Sequence, residues 1–435
     1  MNERTFPRLH ERFYEERLPN GLCIRVIPKP GFSRAFAVFA ADYGSMDTAF
    51  TLDGKKRETP AGVAHYLEHK MFDMPDGDAM SVFAAAGASP NAFTSYAMTA
   101  YHFECTDRFE ENLRTLLGFV STPYFTPESV EKERGIIAQE IRMYEDSPGS
   151  RVYEDLMAAM FAHHPIRVPI AGTVESIQAI TPETLYDCHR AFYDPSNMIL
   201  CVAGDVDPER VAAVAREILP EAPGGVSARD YGEAEPGHAP VHETSWEMDV
   251  AMPMFLLGFK CDPASRGRAA LRQELLGDLA AELVMGESSP LYSRLYEEGL
   301  IDAGFSCGYE DVKSACVLSA AGDSRDPAAV RDAILDEAAR IVRDGPDEAL
   351  FERLKKSEFG RRLRELDGFE GVCCAMADAY FRGEEYYDFP ELYDELTAAD
   401  AVEFLRGCMT PERMTLSVIL PRQSEGEEDA ECSQP

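Results

Sequence analysis

Apolar and polar residues alternate in some segments of the chain and recur with helical spacing in others. Three segments have the composition of strands: GLCIRVIPKP (21–30), RAFAVFAADYG (34–44) and NAFTSYAMTAYHFEC (91–105). Because a short KPGFS turn separates the first two, we predict that they pair with each other. The third alternates along its whole length, which predicts one further strand.

Between these strands the spacing of apolar residues becomes helical. The segments GVAHYLEHKMFD (62–73) and DRFEENLRTLLGFVSTP are each expected to form one helix. A longer helix is predicted over 128–145, because Thr126 suits its N-terminal cap and Pro127 suits its first turn.

Two segments, one near the middle and one near the end of the chain, share a pattern. FYDPSNMILCVAGDV and CMTPERMTLSVILP each follow a helical segment, and they align at a constant offset of 216 positions. The aligned pairs are Pro195/Pro411, Met198/Met414, Leu200/Leu416 and Val202/Val418. This offset indicates an internal duplication, with chance similarity between apolar strands as the alternative. We predict an α+β fold of two duplicated domains, each an antiparallel sheet backed by helices.

Composition places the domain boundaries. A stretch rich in Gly, Pro and Ala predicts a linker over 223–243, between a first domain at 1–222 and a second at 244–421. The remaining residues, 422–435, are acidic and lack apolar residues, which predicts a disordered tail.

Charge and cysteine content exclude several classes of protein. A net charge of −35 disfavours nucleic-acid binding, which needs clustered Lys and Arg, and indicates either a solvated acidic surface or an attraction for basic substrates. The charged N-terminus has no secretory pattern, and no stretch is long enough to cross a membrane. The eleven cysteines form no CxxC pair. We therefore expect a cytoplasmic protein with free thiols and no membrane association.

The predicted helix at 62–73 carries two of the nine histidines within five positions. Each helical residue turns by ~100°, so His65, Glu68 and His69 share one face. Two imidazoles on one face suit zinc, which commonly takes three protein ligands in a catalytic site, and the glutamate beside them suits a general base. The alternative is a chance HxxEH on a solvated helix face.

The helix at 128–145 offers a third ligand. Glu133, Ile136, Ile137 and Glu140 form a single stripe, which the two isoleucines mark as inward-facing. Carboxylates on a buried stripe are costly unless they are paired, hydrogen-bonded or bound to a metal. A structural ion pair is the alternative to metal binding.

HYLEH followed by ERGIIAQE resembles the pitrilysin or insulinase-like metallopeptidases, whose HxxEH inverts the usual zincin order. This resemblance implies that His65, His69 and Glu140 bind one zinc ion per chain. It also implies that Glu68 is the general base and that Glu133 supports the site. The sequences of several segments, such as HKMFD and EKERGIIAQEI, most resemble those of one bacterial branch of this family. That branch is labelled as associated with 5-aminopentanol modification of elongation factor P.

The segment GASPNAFTSYAMTAYHF resembles the edge strand on which this family binds an extended peptide. The resemblance implies that Ser89, Asn91, Ala92 and Phe93 contact the substrate. The function it implies is zinc-dependent hydrolysis of peptides or short unfolded segments.

The second half departs from the family pattern, which carries an arginine and a tyrosine in a motif like LRxxxGLxY. The matching segment here is PLYSRLYEEGLIDAGF, with Tyr296 in place of the arginine, Asp302 in place of the tyrosine, and Arg294 out of register. The second domain also lacks the metal motif. We therefore expect a heterodimer with a family relative that lacks HxxEH, or otherwise a homodimer. The alternative function is a structural subunit that retains zinc and mainly binds a partner. A further alternative, which rests on the branch label alone, is a protein linked to elongation factor P modification.

Overall fold

A computed structural model describes residues 1–75, 77–221 and 227–422. The strands are β1 (Asn2–Phe6), β2 (Glu11–Arg17), β3 (Cys23–Pro28), β4 (Ala35–Ala41), β5 (Ala49–Leu52), β6 (Lys55–Glu58), β7 (Asp73–Met74), β8 (Gly77–Asp78), β9 (Ala88–Thr94), β10 (Thr99–Cys105), β11 (Met198–Gly204), β12 (Ala228–Arg229), β13 (Glu243–Met248), β14 (Met254–Cys261), β15 (Ser306–Val312), β16 (Ala315–Asp323) and β17 (Met414–Pro421). The α-helices are α1 (Val63–Met71), α2 (Ala79–Ala85), α3 (Phe109–Ser121), α4 (Pro127–Glu145), α5 (Pro148–Met160), α6 (Pro182–Phe192), α7 (Pro208–Ile218), α8 (Arg268–Met285), α9 (Pro290–Glu297), α10 (Pro327–Asp344), α11 (Glu348–Glu365), α12 (Phe369–Arg382), α13 (Phe389–Glu395) and α14 (Ala398–Cys408).

Two large sheets repeat one topology. The first has the order β1-β2-β3-β11-β4-β10-β9, and the second has the order β13-β17-β14-β16-β15. In each sheet the pairing is antiparallel except at one place, where β11 runs parallel to β3 and β17 runs parallel to β13. Leu200 lies opposite Phe39 in the first sheet, as Leu416 lies opposite Leu257 in the second. The predicted α+β fold with two duplicated halves is confirmed, with one parallel pair in each largely antiparallel sheet.

Two of the predicted strand arrangements are wrong. β3 and β4 do not pair with each other, because β11 returns from much later in the chain and lies between them. The segment 91–105 forms parts of two antiparallel strands, β9 and β10, instead of one. The Ser95 side chain makes the turn between them by accepting the backbone N–H groups of Ala97 and Met98.

The two halves exchange a helix. α5, from the first half, packs on β14 and β17 of the second sheet, where Leu156 and Met160 lie so close to Gly258 that a Cβ there would clash. In return α12, from the second half, packs on β4 and β11 of the first sheet, and Val372 joins the same buried cluster as Val38. Each sheet therefore depends on the other half to cover one of its faces.

The opposite face of the first sheet holds the first half's own core. Helices α1, α3, α4, α6 and α7 contribute to one buried cluster there, together with side chains of β4, β10 and β11. Leu67 of α1 and Ile137 of α4 are fully buried in it, which places these two helices against each other. This contact positions the residues that the sequence singled out.

Part of the predicted linker makes specific contacts. Ala228 and Arg229 pair with β5, and Arg229 forms ion pairs with Asp42 and Asp47. Residues 222–226 and the predicted tail from 423 onward lie outside the described residues, and the domain boundaries stay a prediction. No described helix combines the length and apolar character needed to cross a membrane, and the cytoplasmic location stays a prediction.

Candidate metal centre

The HxxEH segment forms a buried helix. Gly62 precedes α1 with φ 88, and a Cβ at this residue would lie 2.3 Å from the carbonyl oxygen of Ala171, so only glycine fits. His65 and Glu68 are each 8% exposed. A chance motif on a solvated face would leave these side chains in water, so their burial argues against that alternative.

The second helix of the site is α4, which begins with a capping box formed by Thr126 and Ser129. Its inward stripe is narrower than the sequence predicted. Ile137 is buried, whereas Ile136 is 47% exposed, so the prediction that both isoleucines face inward is wrong. Adjacent helical residues point ~100° apart, and only one of the two can face α1.

The structure brings His65, His69 and Glu140 together. The Nε2 atom of His65 lies 3.6 Å from Oε1 of Glu140, and Nε2 of His69 lies 3.5 Å from Oε2. One donor atom from each residue falls within 4.8 Å of the others, and no second such group of His, Cys, Asp or Glu occurs in the described part of the chain. Two imidazole nitrogens and one carboxylate fit the donor set and ligand number of a catalytic zinc site.

Glu68 lies beside this cluster but outside it. Its Oε2 accepts a hydrogen bond of 2.8 Å from the hydroxyl of Thr94, the last residue of β9. Burial raises the pKa of the Glu68 carboxyl, and the nearby His65 opposes part of that rise. A raised pKa favours a group that must take and release a proton near neutral pH. Sequence reasoning missed Thr94, although it belongs to the predicted edge strand.

Glu133 contacts His69 from the side away from Glu140. Its Oε1 lies 3.1 Å from Nδ1 of His69, and this hydrogen bond is the main reason that the pKa of Glu133 is lowered. The Nε2 atom of His69 therefore faces Glu140 while Nδ1 is held by Glu133. This is the position in which a carboxylate orients a metal-binding histidine.

Glu140 has one further partner that the sequence reasoning missed. The hydroxyl of Tyr144, one helical turn later, donates a hydrogen bond of 2.8 Å to Oε1 of Glu140. The interaction with His65 is the main cause that lowers the pKa of Glu140 to about 2. The i,i+4 spacing on a helix would have been enough to suggest Tyr144. By contrast, Nδ1 of His65 is buried without a hydrogen-bond partner among the described residues.

The predicted substrate-binding residues lie on β9, which pairs only with β10 in the described structure. Ser89 and Asn91 are exposed, and Ala92 and Phe93 are partly buried. The hydrogen bond from Thr94 to Glu68 joins the end of this edge strand to the cluster. An extended peptide that paired with β9 would thus run toward Glu68.

The two residues of the second half that the sequence comparison singled out, Tyr296 and Asp302, contact residues close to them along the chain. Tyr296 is exposed on α9 and stacks on Tyr292 with a centroid distance of 6.0 Å. Asp302 accepts the backbone N–H of Gly304 at 2.8 Å, as a turn-forming aspartate does.

Two protein-family models match consecutive parts of the chain. The model described as Insulinase (Peptidase family M16) matches residues 54–174, and the model described as Peptidase M16 inactive domain matches residues 179–358. The chain belongs to peptidase family M16. The predicted pitrilysin/insulinase-like family is thereby confirmed.

Relatives of this M16 chain extend over almost its whole length. A Bacillus subtilis protein named uncharacterized zinc protease YmfH is 36% identical, covering 96% of this chain and 98% of that protein. The crystal structure of a putative M16-like peptidase from Alicyclobacillus acidocaldarius is 36% identical with a TM-score of 0.90, covering 94% of this chain and 98% of that one. The Caenorhabditis elegans mitochondrial-processing peptidase subunit beta is 25% identical, covering 82% of this chain and 78% of that protein.

Proposed function

We propose that this M16 chain is a zinc-dependent endopeptidase that holds one zinc ion through His65, His69 and Glu140. The observation that carries the proposal is the convergence of two imidazoles and one carboxylate beside a buried Glu68. A bound zinc ion supplies Lewis-acid chemistry, which polarises a carbonyl group and makes a water molecule easier to deprotonate. The name zinc protease carried by the Bacillus subtilis relative supports the choice of metal.

Glu68 is the proposed general base. Its carboxyl is buried, its pKa is raised chiefly by that burial, and Thr94 fixes one of its oxygens. In this role Glu68 takes a proton from the attacking water and passes it to the leaving amine. Glu133 holds His69, so its part in the reaction is to orient a ligand.

The proposed substrate is an extended peptide or a short unfolded segment that adds to β9. Main-chain hydrogen bonds to the open edge supply most of the affinity in such binding, and side chains are read only at alternate positions. Ser89, Asn91, Ala92 and Phe93 are the proposed contacts on this strand.

Metal content and turnover test the assignment separately. Wild-type protein is expected to contain about one zinc ion per chain and to lose peptidase activity when a chelator removes it. Glu68→Gln should keep the zinc and lose turnover, because it removes the base and no ligand. Glu140→Ala should lose both. Glu145→Gln, an exposed position later on α4, is the matched control and should change neither. Full zinc occupancy in Glu140→Ala by elemental analysis would exclude that ligand.

We also propose that the chain works with a second chain. Asp302 stands where the family pattern has a tyrosine, and an ionised carboxylate cannot donate a hydrogen bond to a substrate carbonyl. Neither Leu295, four positions before Gly299, nor the neighbouring Tyr296 supplies the arginine of that pattern. The C. elegans relative is named as a subunit, which is in line with a shared site. The proposed partner is a family relative without HxxEH, and a homodimer is the lesser possibility.

Co-expression tests the two-chain proposal. An equimolar complex with such a relative should cleave a mixed peptide library much faster than this chain alone, since positioning of substrate contributes several kcal/mol. If this chain is a monomer by light scattering and cleaves as fast as any mixture, the two-chain proposal fails.

The same altered positions favour a second candidate function, a structural subunit that binds zinc and a partner. That candidate predicts a stable complex whose peptidase activity is unaffected by Glu68→Gln. The link to elongation factor P modification stays a prediction.

A further inference from the structure

A buried lysine directly follows the second histidine of the metal helix. Lys70 of α1 is only 2% exposed, in a helix whose other buried neighbours are mostly apolar. A buried ammonium group is costly unless charged or polar partners surround it. Its partners therefore indicate why the helix accepts a charge at this position.

Two carboxylates face the Lys70 ammonium. Its Nζ contacts Oδ2 of Asp73 and lies 3.6 Å from Oε2 of Glu133. The other oxygen of Glu133, Oε1, lies 3.1 Å from Nδ1 of His69. The carboxylate of Glu133 is thus held between a buried cation on one side and a proposed zinc ligand on the other.

We propose that Lys70 is a positioning residue of the metal centre, which fixes the Glu133 carboxylate so that the His69 ring presents Nε2 to the zinc ion. This inference rests on the proposed zinc site. The hydrogen bond made by the second ring nitrogen sets the tautomer and orientation of a metal-binding histidine. Lys70 acts one step farther out, because it holds the group that makes that hydrogen bond.

A purely structural role is the competing explanation. Lys70 and Asp73 are three positions apart, and their ion pair alone could tie the end of α1 to β7. In that case the loss of Lys70 would affect stability, and the effect on zinc binding would not depend on Glu133. The two explanations differ in whether Lys70 and Glu133 are coupled.

A double-mutant cycle in the full chain measures this coupling. Zinc dissociation constants of wild type, Lys70→Met, Glu133→Gln and the double variant are obtained by competition with a chromophoric chelator. Lys70→Met is expected to weaken zinc binding about 10-fold, at the lower end of the usual range for groups that orient a ligand. In the Glu133→Gln background the same change should cost less than about twofold, because the group that Lys70 holds no longer carries a charge.

Matched variants separate charge, length and the Asp73 contact. Lys132→Met removes an exposed lysine from α4 and should leave zinc affinity unchanged. Asp73→Asn weakens the structural ion pair and should change zinc affinity by less than about twofold, whereas Lys70→Arg keeps the cation and should recover most of the affinity. If Lys70→Met does not fold by circular dichroism, Lys70→Gln takes its place in the cycle.

A second readout follows the His69 ring itself. Nitrogen-15 spectra of histidine-labelled, zinc-loaded protein report the hydrogen bond made by Nδ1–H of His69, and Lys70→Met should shift that signal because Glu133 is no longer held in place. An unchanged His69 signal, an unchanged zinc affinity, or an equal effect of Lys70→Met with and without Glu133 would each overturn the inference. Failure of the wild type to bind zinc would instead overturn the proposed function.

Discussion

Glu235 is expected to stabilise this chain by joining three parts of the fold through one carboxylate. Its two oxygens accept the backbone N–H groups of Ala162, His163 and His164 at 2.7–2.8 Å, and the Nζ of Lys260 lies 2.5 Å from Oε1. Lys260 is only 3% exposed. This carboxylate therefore fixes the segment after residue 227 to the end of α5 and to β14 at the same time.

The expected loss of stability in Glu235→Ala follows from the buried charge of Lys260 that the substitution leaves unpaired. Removing one partner of a buried ion pair costs about 3–5 kcal/mol, because the remaining charge has lost its counter-ion. Part of the Glu235 side chain reaches solvent, so water can reach the vacated site and the lower end applies to Glu235→Ala, about 3 kcal/mol. Glu235→Gln keeps one acceptor oxygen and should cost about half as much, since hydrogen bonds to a charged group are roughly twice as strong as neutral ones.

Urea unfolding measures these losses, with Glu233→Gln as the matched control. Glu233 is two residues away with a side chain 85% exposed, and its substitution should change the free energy of unfolding by less than about 0.5 kcal/mol. A loss in Glu235→Ala no larger than in this control would refute the assignment of Glu235 as a buried anchor.

The stability lost on substitution of Glu235 should depend on pH in a defined direction. Burial alone would raise the pKa of Glu235, but hydrogen bonds from Lys260 and the three backbone N–H groups outweigh it and lower the pKa to about 2. The unfolded value is about 4.3. Because the pKa of Glu235 is lower in the folded state than in the unfolded state, its ionised carboxyl stabilises the protein at pH values above about 4.3. That contribution is lost as the pH falls toward about 2. The difference between wild type and Glu235→Gln should therefore be largest near neutral pH and shrink on acidification.

Three further substitutions test contacts within the metal centre. Tyr144→Phe removes the hydrogen bond to Glu140 and should weaken zinc binding several-fold in chelator competition; an unchanged dissociation constant would show that the hydroxyl does not orient the ligand. Thr94→Val removes the hydrogen bond that lowers the pKa of Glu68, so the acid limb of the kcat/KM profile should move to higher pH and kcat should fall about 10-fold, while Thr94→Ser should restore both. Glu133→Gln should cost about 10- to 100-fold in zinc affinity or turnover, and no change in either would mark it as a structural ion pair only.

Local spacing predicts three residues of the site, whereas Glu133 and Glu140, on a different helix, are assigned to it by their inward stripe and by the family resemblance. His65, Glu68 and His69 lie within five positions, so helix geometry alone places them on one face. The partners Thr94 and Lys70 were missed for a physical reason. Their roles depend on how α1 packs against β9 and α4, which local periodicity does not report.

The errors in the fold have a similar origin. Adjacent strands joined by a short turn usually pair, but the parallel pairing of β3 with β11 takes the position between β3 and β4. Ile136 was misplaced because an apolar residue next to an inward face can remain exposed without a large cost. The duplication was visible because strand residues such as Leu200 and Leu416 keep their register in both sheets.

The exchange of α5 and α12 also governs how the chain can fold during synthesis. The first sheet is complete in sequence once β11 ends at Gly204, yet the helix that covers its second face, α12, ends only at Arg382. The ribosome adds about 5–20 residues per second, so about 180 residues take roughly 10 to 35 seconds. During that interval one apolar face of the first sheet, including Val38 and Ala203, has no native cover. We expect nascent chains that stop within this interval to bind chaperones, and those extended beyond α12 to be released.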